Sequence, residues 1–171
     1  FWEAMHAMST LTGRALGAAF DVGGFRRLLD VGGGSAAFDI VLCERYPELR
    51  TTVYDLEFVA DIAARNVKDA GLTDRIVVTP GDFFEDASFP VGHDLHLFSM
   101  IMHDWDEERD QLLMRKSTQP LSLLPPDHMI PQEAATKFHG QRVILGPPGT
   151  RSTWWRSRPG PNRRHELNVY T

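Results

Sequence analysis

The run Leu28-Leu29-Asp30-Val31-Gly32-Gly33-Gly34 constrains the fold more than any other stretch of this chain. Its first four residues, three of them apolar, read as a buried strand. The glycines after it make a turn where backbone can pass close to a bound molecule, because no Cβ stands in the way. From Ala36 to Tyr46, Phe38, Val41, Leu42 and Tyr46 recur at helical spacing. The turn therefore hands the chain to a helix whose N-terminus, with unpaired N–H groups, favours an anion in the same space.

The pattern repeats on both sides. Ahead of it, Phe1, Ala4, Met5, Met8, Leu11, Ala15, Leu16 and Ala19 share one helical face until Gly23-Gly24 stops it. Behind it, Thr51 to Tyr54 is rich in β-formers and ends at Asp55. Phe58, Val59, Ile62, Ala63 and Val67 then recur at helical intervals as far as Gly71. Arg75 to Thr79 reads as a third strand, Gly81 to Pro90 as a loop, His93 to Phe98 as a fourth strand and Asp106 to Lys116 as a helix. This alternation predicts an α/β fold, a Rossmann-like doubly wound parallel sheet, with ligands beyond the carboxyl ends of its strands.

Charge and proline content divide the chain near Ser117. Residues 1–116 hold 11 Lys and Arg against 20 Asp and Glu, whereas residues 117–171 hold 7 against 3 and 8 of the 11 prolines. The expected organisation is a linker helix over 1–24, a sheet domain over 25–116 and an irregular tail over 117–171, with only Arg142 to Leu145 patterned as a short strand. A net charge of -5 gives no general attraction to nucleic acid or to anionic lipid. No run approaches the roughly 18 apolar residues of a membrane span and no signal-peptide pattern opens the chain, so a cytoplasmic protein is expected. Cys43, the single cysteine, allows neither a disulfide nor a cysteine metal site and reads as a buried structural thiol.

The strand ends carry the chemistry. Gly32, Gly34 and Ala37 satisfy the G-x-G-x-x-G/A spacing of dinucleotide-binding turns, which leaves a nicotinamide oxidoreductase open. Asp30 argues against it, because a carboxylate there repels a pyrophosphate but suits the ammonium of S-adenosylmethionine. Asp55, at the end of the second strand, stands where such folds place an acid on the ribose hydroxyls; capping the next helix is its other reading. In Gly81-Asp82-Phe83-Phe84 a carboxylate can reach the adenine amino group while an aromatic ring covers the base, or the Gly-Asp pair simply turns the chain.

Leu29-Asp30-Val31-Gly32-Gly33-Gly34-Ser35 resembles the first motif of class I S-adenosylmethionine-dependent methyltransferases, with Ala36 where the family often has a further glycine. Val53-Tyr54-Asp55-Leu56 and Gly81-Asp82-Phe83-Phe84 resemble later motifs of one subgroup, the small-molecule O-methyltransferases of plant and bacterial secondary metabolism, of acetylserotonin, caffeate and hydroxyneurosporene type. His103-Asp104-Trp105 is similar to the catalytic His-Asp-Trp run of that subgroup. The resemblance implies S-adenosylmethionine as cofactor, held by Asp30, Gly32, Gly33, Gly34, Asp55, Leu56, Asp82, Phe83 and Ser99, the last standing where plant members often carry a cofactor-contacting lysine.

It also implies an enzyme that methylates a phenolic or enolic hydroxyl of a small molecule, with His103 as general base. A phenol, pKa about 10, is a poor nucleophile until deprotonated, and histidine's ordinary pKa of about 6.5 suits it to the task. Asp104, Asp106, Glu107 and Glu108 read as an acidic helix start, and no metal is expected. The likeness runs from Phe1 to about Lys116. The family's helical dimerisation domain, which makes its members homodimers, is represented only by its last helix. The acid that orients the histidine has no convincing counterpart, Glu133 being a poor match. A truncated cofactor-binding module without activity is therefore the alternative function.

Overall fold

The computed structural model describes residues 2–118 together with the strands 135–138, 141–146, 153–156 and 166–169. Helix α1 (Trp2–Ala19) leads into strand β1 (Arg27–Val31), helix α2 (Ala37–Arg45), strand β2 (Arg50–Asp55), helix α3 (Glu57–Asp69), strand β3 (Ile76–Pro80), strand β4 (Leu95–Ser99) and helix α4 (Glu107–Thr118). Strands β1 to β4 are parallel neighbours in the order β3-β2-β1-β4. The chain order reverses between β1 and β4, the place where open α/β sheets form a crevice at their carboxyl edge.

Strand alternation sorts the core into two faces. Leu28 of β1 packs with Leu95 and Leu97 of β4 under Leu16 of α1 and Phe38 and Leu42 of α2. Val53 and Ile76 continue that face under Cys43 of α2 and Ala63 and Val67 of α3. Leu29 and Val31 point the other way, with Tyr54, Phe98 and Met102 against Leu113 and Met114 of α4. The expected layering therefore holds, with three helices on one face and one on the other. Cys43 is buried, and burial pushes its thiol up to about 11, consistent with an inert packing role.

The four predicted strands each fall within two residues of their expected bounds. Four short strands are described within 117–171. Strand β6 (Gln141–Gly146), which contains the Arg142 to Leu145 run, pairs antiparallel with β4, and β5 (Ala135–Phe138) pairs antiparallel with β6. Strands β7 (Thr153–Arg156) and β8 (Glu166–Val169) form a separate pair. The prolines all lie outside these segments. Proline removes a ladder donor and ends a strand, but it does not forbid a short strand between two prolines.

Candidate functional site

β1 carries Asp30 and Gly32 to the carboxyl edge, where the turn bends sharply before α2. Gly32 (φ 71) and Gly34 (φ 59) adopt left-handed backbone that side chains disfavour. A Cβ on Gly32 would overlap Ile101 Cδ1 and stand 2.8 Å from its Cγ1, and one on Gly33 would sit 2.9 Å from Asp30 Oδ2. Ala36 shares the left-handed conformation, at φ 64, and precedes α2 without a side-chain cap. The first N–H groups of α2 are thus left open to an anion.

A cleft opens at this turn. Asp30, Gly32, Gly33, Gly34, Asp55 and Ser99 all line it, so six of the ten predicted site residues are brought together. Asp55 braces the turn: its Oδ2 accepts from the Gly34 amide at 2.9 Å and its Oδ1 from the Leu56 amide at 2.8 Å. Burial raises the Asp55 carboxyl and those two amides hold it back. Asp30 is 1% exposed, and among the described residues neither of its oxygens nor the buried Ser99 hydroxyl has a hydrogen-bond partner. Burial, then Asp39 and then Asp55, push the Asp30 carboxyl well above the usual carboxylate range.

Leu56, Asp82, Phe83 and His103 do not form part of the cleft wall. Leu56 contributes its amide to Asp55. Asp82 Oδ1 accepts from the Phe84 and Glu85 amides at 2.8 and 3.3 Å, the turn-forming role that the Gly-Asp pair allowed. Phe83 edges toward the turn, its Cε1 lying 3.6 Å from where a Gly32 Cβ would stand. The His103 side chain is 44% exposed and its Nε2 lies 3.1 Å from Asp104 Oδ1. Trp105 of the same run packs edge-on against Phe84 at 4.7 Å, tying the histidine loop to the Asp82 loop, and Arg109 stacks over Trp105 at 5.1 Å. Asp106 caps α4 by accepting from the Arg109 amide at 2.9 Å. Glu133 lies outside the described residues.

Pattern reading missed two groups of residues. Trp2, Met5 and Ser9, one helical face of α1, wall the cleft opposite β4, and Met100 and Ile101 close it. Among the methionines, Met5 lines the cleft, Met8 is exposed and Met102 is buried in the core. His6 meets Ser35 Oγ at 2.8 Å through Nδ1, and Asn66 of α3 donates to the Ser35 carbonyl at 2.9 Å. The i, i+3, i+4, i+7 spacing of Trp2, Met5, His6 and Ser9 was the available signal.

The site suits S-adenosylmethionine on its own chemistry. An unpartnered buried carboxyl and hydroxyl face the cleft, uncapped helix amides approach it, and the glycines clear backbone for a close ligand. Among the described residues no group of three or more His, Cys, Asp or Glu is placed to hold a metal ion, and no helix is long and apolar enough to cross a membrane.

Comparison with known proteins agrees. A 3-hydroxy-5-methyl-1-naphthoate 3-O-methyltransferase of Streptomyces sahachiroi is 46% identical over 114 residues, covering 67% of this chain and 33% of that protein. The solved mitomycin 7-O-methyltransferase is 32% identical with a TM-score of 0.65, over 69% of this chain and 34% of that one. The neocarzinostatin O-methyltransferase, solved with S-adenosyl-L-homocysteine, is 33% identical with a TM-score of 0.54, over 57% and 31%. The chain thus spans about a third of the length of the relatives it matches. Residues 1–123 match the O-methyltransferase domain family, and with its class I methyltransferase fold and S-adenosylmethionine-type cleft the chain belongs to that family.

Proposed function

We propose that this chain carries the cofactor site of an S-adenosylmethionine-dependent O-methyltransferase that methylates a phenolic or enolic hydroxyl of a small molecule. The observation that carries this reading is the buried, partnerless Asp30 carboxyl in the wall of the glycine-turn cleft. It calls for a cation, and the family's cofactor brings an ammonium there. The naphthoate specificity named for the Streptomyces sahachiroi relative makes a hydroxylated aromatic acid a suitable first acceptor to test.

When bound, the cofactor supplies an electrophilic methyl group on a sulfonium. Asp30 pairs with its ammonium, and the uncapped start of α2 receives its carboxylate. Asp55 accepts from the ribose hydroxyls with lone pairs left after its two amide bonds, and Leu56 packs beside it. Asp82 Oδ2 and the Phe83 ring address the adenine, and Ser99 donates its free hydroxyl. His103 is the general base: with Nε2–H directed to Asp104, Nδ1 is the atom that takes the acceptor's proton and later releases it to water. Asp104 thereby takes the orienting role for which no distant acid was found in the sequence.

The same reading assigns 1–24 to a linker helix and 25–116 to cofactor binding, in a cytoplasmic homodimer. A second reading, a module that binds cofactor without transferring methyl, is favoured by one observation, the position of His103 outside the cleft wall. Calorimetric titration with S-adenosylhomocysteine and a methyl-transfer assay with hydroxynaphthoate separate the two. We expect binding, turnover, and a loss of turnover of about 10²–10⁴-fold in His103→Ala with cofactor affinity unchanged. Full turnover in that variant refutes the base assignment, binding without turnover supports the second reading, and absence of binding refutes the cofactor site.

A further inference from the structure

Ser35 lines the cleft and is buried, and its hydroxyl is joined to a histidine that the mechanism above does not use. That histidine, His6, shares one face of α1 with Trp2, Met5 and Ser9 of the cleft wall. Asn66 of α3 completes the cluster, which therefore joins three elements at the glycine turn.

We propose that His6 is a positioning residue of the cofactor site: it takes the Ser35 hydroxyl as a hydrogen-bond donor, which leaves Ser35 Oγ only able to accept, and so able to receive the ammonium of the ligand. The proposal rests on the cofactor reading above and deepens it.

The neighbours fix the direction of each hydrogen. Asn66 meets the Ser35 carbonyl at 2.9 Å, and a carbonyl only accepts, so the amide nitrogen is the atom facing it. The same nitrogen lies 3.4 Å from His6 Nδ1. An amide NH₂ donates and does not accept, so Nδ1 meets it with a lone pair and the ring hydrogen sits on Nε2. With Nδ1 an acceptor, its 2.8 Å contact with Ser35 Oγ is a bond that the hydroxyl donates. A serine has one hydroxyl hydrogen, and this one is spent.

Position decides what Ser35 accepts. It follows Gly32-Gly33-Gly34 directly and stands two residues before α2, whose uncapped N–H groups receive the cofactor's carboxylate in the reading above. At that end of the cofactor the ammonium is the donor. The opposite polarity, with Nδ1 donating, would free the Ser35 hydrogen for the carboxylate; the Asn66 contact selects against it.

α1 does not depend on His6 for its place. Its second half lies close against α2: a Cβ on Gly13 would stand 3.4 Å from Phe38 Cα, and one on Gly17 3.1 Å from Arg45 Cδ. Removing the imidazole therefore changes the polarity of Ser35 and leaves the helix docked.

Calorimetric titration of the 171-residue chain with S-adenosylhomocysteine, and with 5′-methylthioadenosine, which lacks the amino-acid part, tests this. His6→Ala should weaken S-adenosylhomocysteine about tenfold and 5′-methylthioadenosine less than about twofold. His6→Asn, whose Oδ1 takes the place of Nδ1, should bring affinity back to within about threefold of wild type, whereas His6→Gln, which reaches to the place of Nε2, should not. In a Ser35→Ala background, His6→Ala should cost less than about twofold. Two-bond ¹H–¹⁵N correlation of the wild-type His6 ring should find the hydrogen on Nε2. Unchanged affinity in His6→Ala, equal loss with both ligands, equal behaviour of the Asn and Gln variants, or a hydrogen on Nδ1 overturns this inference and leaves the cofactor reading intact. Absence of S-adenosylhomocysteine binding to the wild type overturns both. Should His6→Ala fail to fold, the contrast of His6→Asn with His6→Gln decides.

Discussion

Asp55 Oδ2 accepts the Gly34 amide at 2.9 Å, so the acid that ends β2 also holds the glycine turn that follows β1. With the Leu56 amide on its other oxygen, Asp55 is a brace before it is a ligand contact. Asp55→Ala leaves two amides without their acceptor. It should destabilise the chain by about 1–3 kcal/mol and weaken S-adenosylhomocysteine at least tenfold. Urea denaturation with parallel calorimetry checks both; unchanged stability would show that the brace is dispensable.

Gly32 and Gly34 share left-handed backbone but not surroundings. A Cβ on Gly34 meets nothing within 4 Å, whereas one on Gly32 runs into Ile101. Gly34→Ala should cost only the backbone strain, about 1–2 kcal/mol. Gly32→Ala should cost more and also impair cofactor binding, because Ile101 must turn into the cleft. Ile101→Ala in the Gly32→Ala background should recover part of the affinity, which a double-mutant cycle measures.

Lys116 of α4, itself buried, donates to the carbonyls of Phe83, Phe84 and Asp86 at 2.8, 2.9 and 2.6 Å. It pins the loop that carries Asp82 from the opposite face of the sheet. Lys116→Met fills the space but leaves three carbonyls unpaired, and should lower stability by about 3 kcal/mol. Amide hydrogen exchange at residues 83–86 should accelerate more than in α3; uniform acceleration would argue against a local pin.

His96, buried on the α4 face with its Nδ1 at 2.8 Å from Ser117 Oγ, is lowered to about 3 by burial and by neighbouring His93. Its unfolded form takes a proton near pH 6.5, so below that pH the unfolded state binds more protons and stability falls as pH falls toward 3. The raised carboxyl of Asp39 acts with opposite sign, its contribution being lost as pH rises from 3.8 through about 6. Total stability between pH 4 and 6 therefore hides both. The difference between wild type and His96→Gln isolates the histidine and should shrink by up to about 1.4 kcal/mol per pH unit on acidification. A constant difference, followed by denaturant unfolding at several pH values, would contradict the assigned burial.

Asp30, Gly32, Gly34 and Asp55 were legible as residues of the carboxyl edge because each stands at a strand end, where local pattern alone fixes position. Ser99 was legible only by resemblance, and the structure adds its unpartnered hydroxyl. Asp39 gave no signal. The amphipathic pattern of α2 assumes one buried face, yet α2 is covered twice, by the sheet through Cys43 and by α1 through Phe38, which lies 3.4 Å from the Cβ position of Gly13. Asp82 carried two readings in the sequence, and the structure spends one oxygen on the turn without excluding the other. In the tail, a density of prolines says where strands stop and not whether they form.

What the sequence alone determined is what is periodic or local: the alternation of strands and helices, the glycine turn after a buried strand, and the acids at strand ends. The tertiary structure decided what depends on separate elements meeting. It placed His6 against Ser35, carried Lys116 under the Asp82 loop and left His103 outside the cleft wall. Burial and charge pairing are sums over neighbours distant in sequence, so no window along the chain contains them, and a carboxylate acquires its need for a proton or a cation only when packing removes its water.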